Sequence, residues 1–248
     1  MAMRFPRFLI LSLILSTLPT NLPAEESALP EYNAEEIVRL VNLSMALRTK
    51  TELNGMLRKG DIAAPLNFRL EDKGDVKQIT FTFGAPAQSI ILDLKEKSFL
   101  LYDLVNGKKT PVSPKNYATG IRGTDLTYED MSFRYLYWPN PIKLESETYS
   151  TRKCWKVQCN NPDSAVGAYK SVLIWVDQKS GGLLRMEGYN YQQVSGKPVF
   201  TLLKRCKITA GMKVDDVTVL KEMTVESFDP VSGKGLGKTF LEMEKPKD

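Results

Sequence analysis

From about Thr51 onward the periodicity of apolar residues changes from helical to two, broken by one less regular stretch. A repeat of two is the signature of strands with one face buried. "VKQITFTFG" places Ile79, Phe81 and Phe83 on one face, opposite Gln78, Thr80 and Thr82. "SIILDL", "SFLLYDLV", "CWKVQC", "LLRMEGYNY", "PVFTLLKRCKI", "VTVLKEMTVESF" and "KTFLEME" follow the same rule, while "KSVLIWVD" is apolar on both faces. Turn signals fall between them: "NGKK", "NNPDSAVG", "DQKSGG", "VSGKP", "TAGMKVDD" and "DPVSGKG". About ten strands with hairpin-length connections predict an antiparallel meander rather than alternating strand and helix. The stretch from Pro111 to Tyr149 is less regular and reads as a long excursion. So many twisted strands in one sheet tend to curl, and the concave face must then be filled by side chains, a helix or a ligand.

The helical signal precedes the strands. "NAEEIVRLVNLSMALRTK" has Asn33 as a cap and Glu36 three residues on, the spacing of a capping box. Ile37, Val38, Leu40, Val41, Leu43, Met45 and Leu47 leave only a narrow, weakly polar stripe at Arg39, Asn42 and Ala46. A helix this apolar is expected to be covered over most of its surface.

Still earlier, "MAMRFPR" carries two arginines, "FLILSLILSTL" is uncharged and apolar, and "PTNLPA" ends at Ala24. This is the order of a secretory signal peptide, with an apolar run too short for an ordinary membrane span. Residues 1–24 are therefore expected to be a leader cleaved near Ala24, and residues 25–248 one exported domain. Removing Arg4 and Arg7 takes the net charge from +5 to 5 − 2 = +3. That balance, without a basic stripe interleaved with aromatics, argues against nucleic acid as a partner.

The chain contains no His. Catalysis by Ser-His-Asp or Cys-His arrangements and His-containing zinc sites are thereby excluded. Cys154 and Cys159, five extended steps apart, are separated by about 16 Å if they lie on one strand, too far for a disulfide. A bridge would have to join one of them to Cys206, and an odd count leaves one thiol unpaired.

Two short motifs invite chemistry. "SGKGLGKTF" ends like a phosphate-binding P-loop, but Ser232 stands where the first Gly belongs, and "FLEMEKPKD" continues as a strand where a helix is required. It reads as a Gly-rich turn with solvated lysines, so no nucleotide is expected. In "GTDLTYEDM" the carboxylates Asp125, Glu129 and Asp130 are candidates for a metal cluster or an acid–base pair. The favoured reading is a turn whose side chains bond nearby backbone amides. No metal, cofactor or enzymatic activity is expected. A carboxylate hydrolase is the last-ranked alternative.

"RGTDLTYEDM", followed about forty residues later by "VLIWVDQKSGGLLRMEGYN", resembles the outer-membrane lipoprotein-sorting protein family, the LolA-like superfamily. The resemblance covers Glu25 to Asp248. It implies a mainly β fold: one curved antiparallel sheet forming an incomplete, half-open β-barrel with an N-terminal helix as lid. It implies an apolar cavity that takes up acyl chains of lipoproteins or other lipids in the periplasm. An inner-membrane transporter is an expected partner, and a monomer is expected. The helix from Asn33 to Arg48 is the candidate lid, with Ile37, Leu40, Val41 and Met45 facing the cavity. Ile79, Phe81, Phe83, Trp155 and Trp175 are candidate wall residues. Gly123, Thr124, Asp125, Tyr128, Glu129 and Asp130 form the family-motif segment, expected to be structural. The alternative is an envelope adaptor of the same fold, associated with a membrane exporter, whose concavity is filled by its own side chains.

Overall fold

The computed structural model describes residues 31–46, 51–84, 88–194, 196–214 and 217–246. The expected leader lies outside the described residues. Helix α1 (Ala34–Ala46) opens with the expected capping box: the Asn33 amide donates to Glu36 Oε2 at 2.8 Å, and the Glu36 amide donates to Asn33 Oδ1 at 2.9 Å. The alternation then produces more strands than its clearest segments suggest. β1 (Thr51–Lys59), β2 (Ile62–Asp72), β3 (Lys77–Phe83), β4 (Gln88–Lys95), β5 (Ser98–Val105) and β6 (Lys108–Pro111) come first. Residues 112–141 follow, containing the one-turn helix α2 (Tyr128–Ser132). β7 (Ile142–Tyr149), β8 (Arg152–Asn160), β9 (Ser171–Asp177), β10 (Leu183–Val194), β11 (Lys197–Val214), β12 (Val217–Phe228) and β13 (Gly235–Met243) complete the chain.

All thirteen strands form one antiparallel sheet in the order β6-β5-β4-β3-β2-β1-β13-β12-β11-β10-β9-β8-β7. β6 and β7 are free edges, so the barrel is not closed. Each edge is guarded. β6 carries Lys108, Lys109 and Pro111, and β7 is interrupted by a bulge between Leu144 and Glu147; both are devices that discourage a further strand from adding.

Direct cross-strand partners share a face, so the register assigns an inner side to the whole sheet. Leu57 meets Leu241, Phe68 meets Phe81, and Ile79 meets Leu92, whereas Val157 meets Ile174 and Ile174 meets Met186. These inner positions are buried in two groups. The first takes inner residues of β1–β5, β12 and β13 together with Ile121, Leu126, Tyr128 and Met131 of the excursion. The second takes those of β8–β10 together with Ile37, Val38 and Val41 of α1 and Tyr135, Leu136 and Trp138. The excursion therefore runs across the inner face from the β6 edge to the β7 edge. Each large aliphatic or aromatic side chain buried this way stabilises by about 1.5–3 kcal/mol.

Cys154, Cys159 and Cys206 are all free thiols. β9 and β10 lie between β8 and β11. Three strand spacings of about 4.8 Å each put Cys206 beyond disulfide reach of either cysteine on β8.

Candidate functional site

The inner face is covered by two pieces, and they are attached in different ways. The excursion is latched by buried polar groups. Ile121 and Leu126 close a turn through Gly123, whose φ of +72° suits glycine. Within it the Thr124 hydroxyl donates to the Ile121 carbonyl at 2.7 Å. Asp125 then plugs into β13: its amide donates to Thr239 Oγ1 at 2.8 Å, and Thr239 Oγ1 donates back to Asp125 Oδ2 at 2.9 Å. Lys59 of β1 donates to Asp125 Oδ1 at 2.9 Å, and Lys204 of β11 donates to the Asp125 carbonyl. Burial works against the Asp125 charge, but the bonds from Lys59, Thr239 and Ser227 outweigh it and hold the carboxyl below its ordinary value.

The P-loop-like stretch, expected from the sequence to be a Gly-rich turn with solvated lysines, is a turn only as far as Lys234; from Gly235 it is strand β13, and Lys238 lies 3.4 Å from Glu226. Gly237 and Thr239 lie on β13, and a Cβ at Gly237 would sit 2.9 Å from Asp125 Oδ1. The small residue makes room for the carboxylate and the threonine receives it.

Thr127 caps α2 in a second capping box, its amide donating to Asp130 Oδ2 at 2.9 Å and the Asp130 amide donating to Thr127 Oγ1 at 3.2 Å. The other Asp130 oxygen accepts from the Tyr169 hydroxyl at 2.6 Å. Tyr128 donates to Asp103 of β5 at 2.9 Å and accepts from Gln88 of β4 at 2.8 Å. Glu129 is buried and pairs with buried Arg134 at 3.1 Å, while its second oxygen accepts the Ala168 amide at 2.7 Å. Arg134 also donates to the Val166 carbonyl at 2.9 Å and lies 5.4 and 5.3 Å from the ring centroids of Tyr117 and Trp138. The carboxylates of the motif thus tie the excursion to β1, β13 and the β8–β9 connection, and the Tyr128 hydroxyl ties it to β4 and β5. Among the described residues no cluster of His, Cys, Asp or Glu could hold a metal ion.

Burial, the largest influence, raises the Glu129 carboxyl from 4.5 to about 7, against the Ala168 amide and the Arg134 charge. Between these two values the folded chain keeps a proton that the unfolded chain has lost. Stability from this group is therefore full below pH 4.5 and declines as the pH rises to 7, by about 3 kcal/mol in all. Urea melts at about pH 5 and about pH 8 should show that decline in the wild type and a flatter profile in Glu129→Gln; equal slopes would dissociate the effect from Glu129.

The second cover, α1, is attached mainly by apolar contact. Ile37 and Val41 are fully buried against Val157, Ile174, Val176, Met186 and Trp155, and Leu40 packs at the margin. Tyr32, just ahead of the helix, meets Trp155 edge to face at 5.2 Å. The polar ties are few among the described residues: Asn42 Nδ2 donates to the Leu136 carbonyl at 3.4 Å, and Lys143 donates to the Tyr32 carbonyl at 2.7 Å. Asn42 Oδ1 and Trp138 Nε1 are buried at this junction without a hydrogen-bond partner, a standing cost of about 1–3 kcal/mol each.

The structure brings Ile37, Leu40, Val41 and Trp155 together. Met45 is on α1, but its side chain lies outside the described residues. Ile79, Phe81 and Phe83 line the inner face under the latched excursion, in the other buried group. Phe81 packs on Phe68 at 5.5 Å, so a charge placed there tests packing before it tests any ligand. Trp175 is on the outer face: it pairs with Lys156 and Arg185, which stack on it at 5.0 and 4.4 Å, and its indole donates to Glu147 at 2.9 Å. Val157, Ile174, Val176, Met186, Leu136 and Trp138 complete the floor beneath α1. Val157 was visible as alternation in "CWKVQC" and Met186 in "LLRMEGYNY", whereas "KSVLIWVD", apolar on both faces, does not say which face Ile174 and Val176 take, and no segment shows their meeting with α1.

A family model for an uncharacterized protein matches residues 87–247, well over half of the chain. No curated protein sequence matches it. Three solved structures share the fold. A DUF1329 family protein from Desulfovibrio piger is 14% identical, with 87% of this chain and 92% of that chain covered and a TM-score of 0.64. A domain described as an outer membrane lipoprotein-sorting protein, from Vibrio parahaemolyticus, is 15% identical over 86% and 92% of the two chains, with a TM-score of 0.65. A LolA superfamily protein from Nitrosomonas europaea is 16% identical over 87% and 93%, with a TM-score of 0.57. By the match over residues 87–247 the chain belongs to the family of that model, and its fold is the one these three structures share.

Proposed function

We propose that the protein is a carrier of the cell envelope that takes up acyl chains of lipoproteins or other lipids between α1 and the floor formed by β8–β10. On this reading it is exported by the leader ending near Ala24, acts in the periplasm, and exchanges cargo with membrane partners such as an inner-membrane transporter. It binds and releases without chemical conversion. The observation that carries the reading is the unequal attachment of the two covers. The excursion is pinned by charges and hydrogen bonds, whereas among the described residues α1 and Tyr32 ahead of it lie on an apolar floor with two polar ties, and Asn42 Oδ1 and Trp138 Nε1 are buried without a partner.

The exchange is energetically feasible. Lifting α1 exposes Ile37, Val38 and Val41, a loss of about 5–9 kcal/mol, while an acyl chain of about sixteen carbons supplies about 13 kcal/mol of gross burial. A cover of this strength keeps the floor dry without cargo and yields to it.

A Cβ at Gly181 would lie 3.8 Å from Leu40 Cβ, the mean separation in disulfides. Leu40→Cys/Gly181→Cys therefore staples α1 to the β9–β10 turn, at a cost of about 1–2 kcal/mol for a cysteine at the +67° φ of Gly181. Native mass spectrometry of residues 25 onward, after incubation with phospholipid vesicles, should show bound lipid in the wild type, none in the oxidised staple, and binding again after reduction. The native thiols do not interfere, because burial raises all three above their ordinary range. Uptake by the oxidised staple would show that α1 is not the lid.

The second reading is the non-carrier adaptor. The filling of the first group by Ile121, Leu126, Tyr128 and Met131 favours it, because that half of the interior is occupied by the protein itself. Absence of bound lipid from every form of the protein would select it.

A further inference from the structure

At one end of the sheet the chain exposes apolar side chains on two projecting tips. β9 follows β10 only as far as Tyr189, and β12 follows β11 only back to Lys204. Beyond those points residues 190–203 are a two-stranded ribbon paired only with itself, ending at Val194 opposite Lys197. Five residues of extended chain carry it about 17 Å past its neighbours. Tyr191 and Phe200 face each other across the ribbon, rings 5.7 Å apart, and Phe200 is 57% exposed. Such a ribbon is marginal alone, and water is a poor solvent for this pair.

The β12–β13 turn lies at the same end, since the intervening β11–β12 connection is at the opposite one. Its backbone is fixed: Asp229 accepts the amides of Val231 and Ser232 and the Ser232 hydroxyl. Yet it holds Val231 at 85% exposure, and Leu236 at the start of β13 beside it is 65% exposed. An open depression of about 490 Å³ joins it to the base of the ribbon, lined in part by Arg205, Lys207, Phe228, Leu236 and Lys238.

The charges are one-sided. With Arg205 paired to Glu187, Lys197, Lys207, Lys234 and Lys238 stand against Glu226 and Asp229, a balance of 4 − 2 = +2. Glu226 is neutralised in place by Lys207 at 3.1 Å and Lys238 at 3.4 Å, and Asp229 is consumed in its own turn.

We propose that this end of the sheet, the 190–203 ribbon with the β12–β13 turn, docks on an anionic lipid bilayer. Aromatic and aliphatic side chains beside lysines suit the membrane interface, where rings sit among headgroups and lysines meet anionic phosphates. Separate tips, rather than one flat patch, fit a fluid surface that needs no matching pocket for each. The proposal does not depend on uptake beneath α1, and vesicle binding is read separately from lipid bound inside.

The test is flotation of residues 25 onward with vesicles of phosphatidylcholine alone or mixed with phosphatidylglycerol, at low and high salt. The wild type should float with the anionic vesicles and less so in high salt. Phe200→Ser/Leu236→Ser and Lys197→Glu/Lys234→Glu should each lower partitioning about tenfold or more, with thermal melts close to the wild type because the side chains are exposed. No flotation, equal flotation with both vesicle types, or flotation untouched by either double variant would overturn the proposal. Flotation lost in these variants while internal lipid is still taken up would support it and separate it from the carrier reading.

Discussion

Replacing Arg134 with Met should lower the unfolding free energy by about 3–5 kcal/mol, and adding Glu129→Gln should return part of that loss. The asymmetry follows from what each change strands. Arg134 is buried and supplies the cation to a buried carboxylate. Removing the guanidinium leaves Glu129 without its countercharge in a medium that already drives it towards its protonated form. It also leaves the Val166 carbonyl without that donor and removes the cation between the rings of Tyr117 and Trp138. Without Arg134 the Glu129 carboxyl must take up a proton to stay buried, and Glu129→Gln supplies that neutral group directly while keeping an oxygen for the Ala168 amide. Urea denaturation of the two single variants and the double measures the coupling. Strict additivity would mean that the pair contributes nothing as a pair, and the latch would have to be assigned to Asp125 and Asp130 alone.

A second large loss is expected at Gly188, on the inner face of β10. A Cβ there would fall 2.5 Å from two carbons of the Tyr169 ring, a distance real side chains do not adopt. Tyr169 is buried and cannot swing aside without giving up its hydroxyl bond to Asp130. Gly188→Ala should therefore destabilise by about 3 kcal/mol, on the scale of overpacking plus a lost hydrogen bond to a charged group. Tyr169→Leu should make the same Gly188→Ala change much less harmful. If Gly188→Ala is as damaging with Leu at 169 as with Tyr, the strain lies in the strand and not in the ring.

These two sites show where reading the chain alone stops. The capping box at Asn33 and Glu36 was legible because it is local, as was the alternation of Ile79, Phe81 and Phe83. β1 and β2 are harder to see, since Gly55 and Pro65 interrupt them, and β7 is an edge strand whose residues are largely exposed. The phase between strands is not written locally at all. Trp155 and Trp175 each sit plausibly on an inner face within their own segments. Only the pairing of Trp175 with Lys156 and of Trp155 with Val176 puts them on opposite sides. The carboxylates of "GTDLTYEDM" were read as bonding nearby amides, and Asp130 does so. The partners of Asp125 and Glu129 include Lys59, Thr239, Lys204 and Ala168, which no spacing rule connects to them. The resemblance to a known family located the segment, and its register against β13 explained it.

The first and last strands of the sheet lie side by side, β1 against β13. Joining Gly55 to Met243 closes a loop of 243 − 55 = 188 residues, whereas the other strand pairs are hairpins between neighbours in sequence. Each half-sheet can zip up locally and early, but the seam between them must await the last strand, and long loop closures of this kind slow folding. A ribosome-bound chain lacking Gly235–Met243 would hold two half-sheets with bare inner edges at β1 and β12. Until β13 pairs with both edges the two half-sheets cannot share one interior, so protection of the β1 and β12 amides from hydrogen exchange should be the last to appear during refolding.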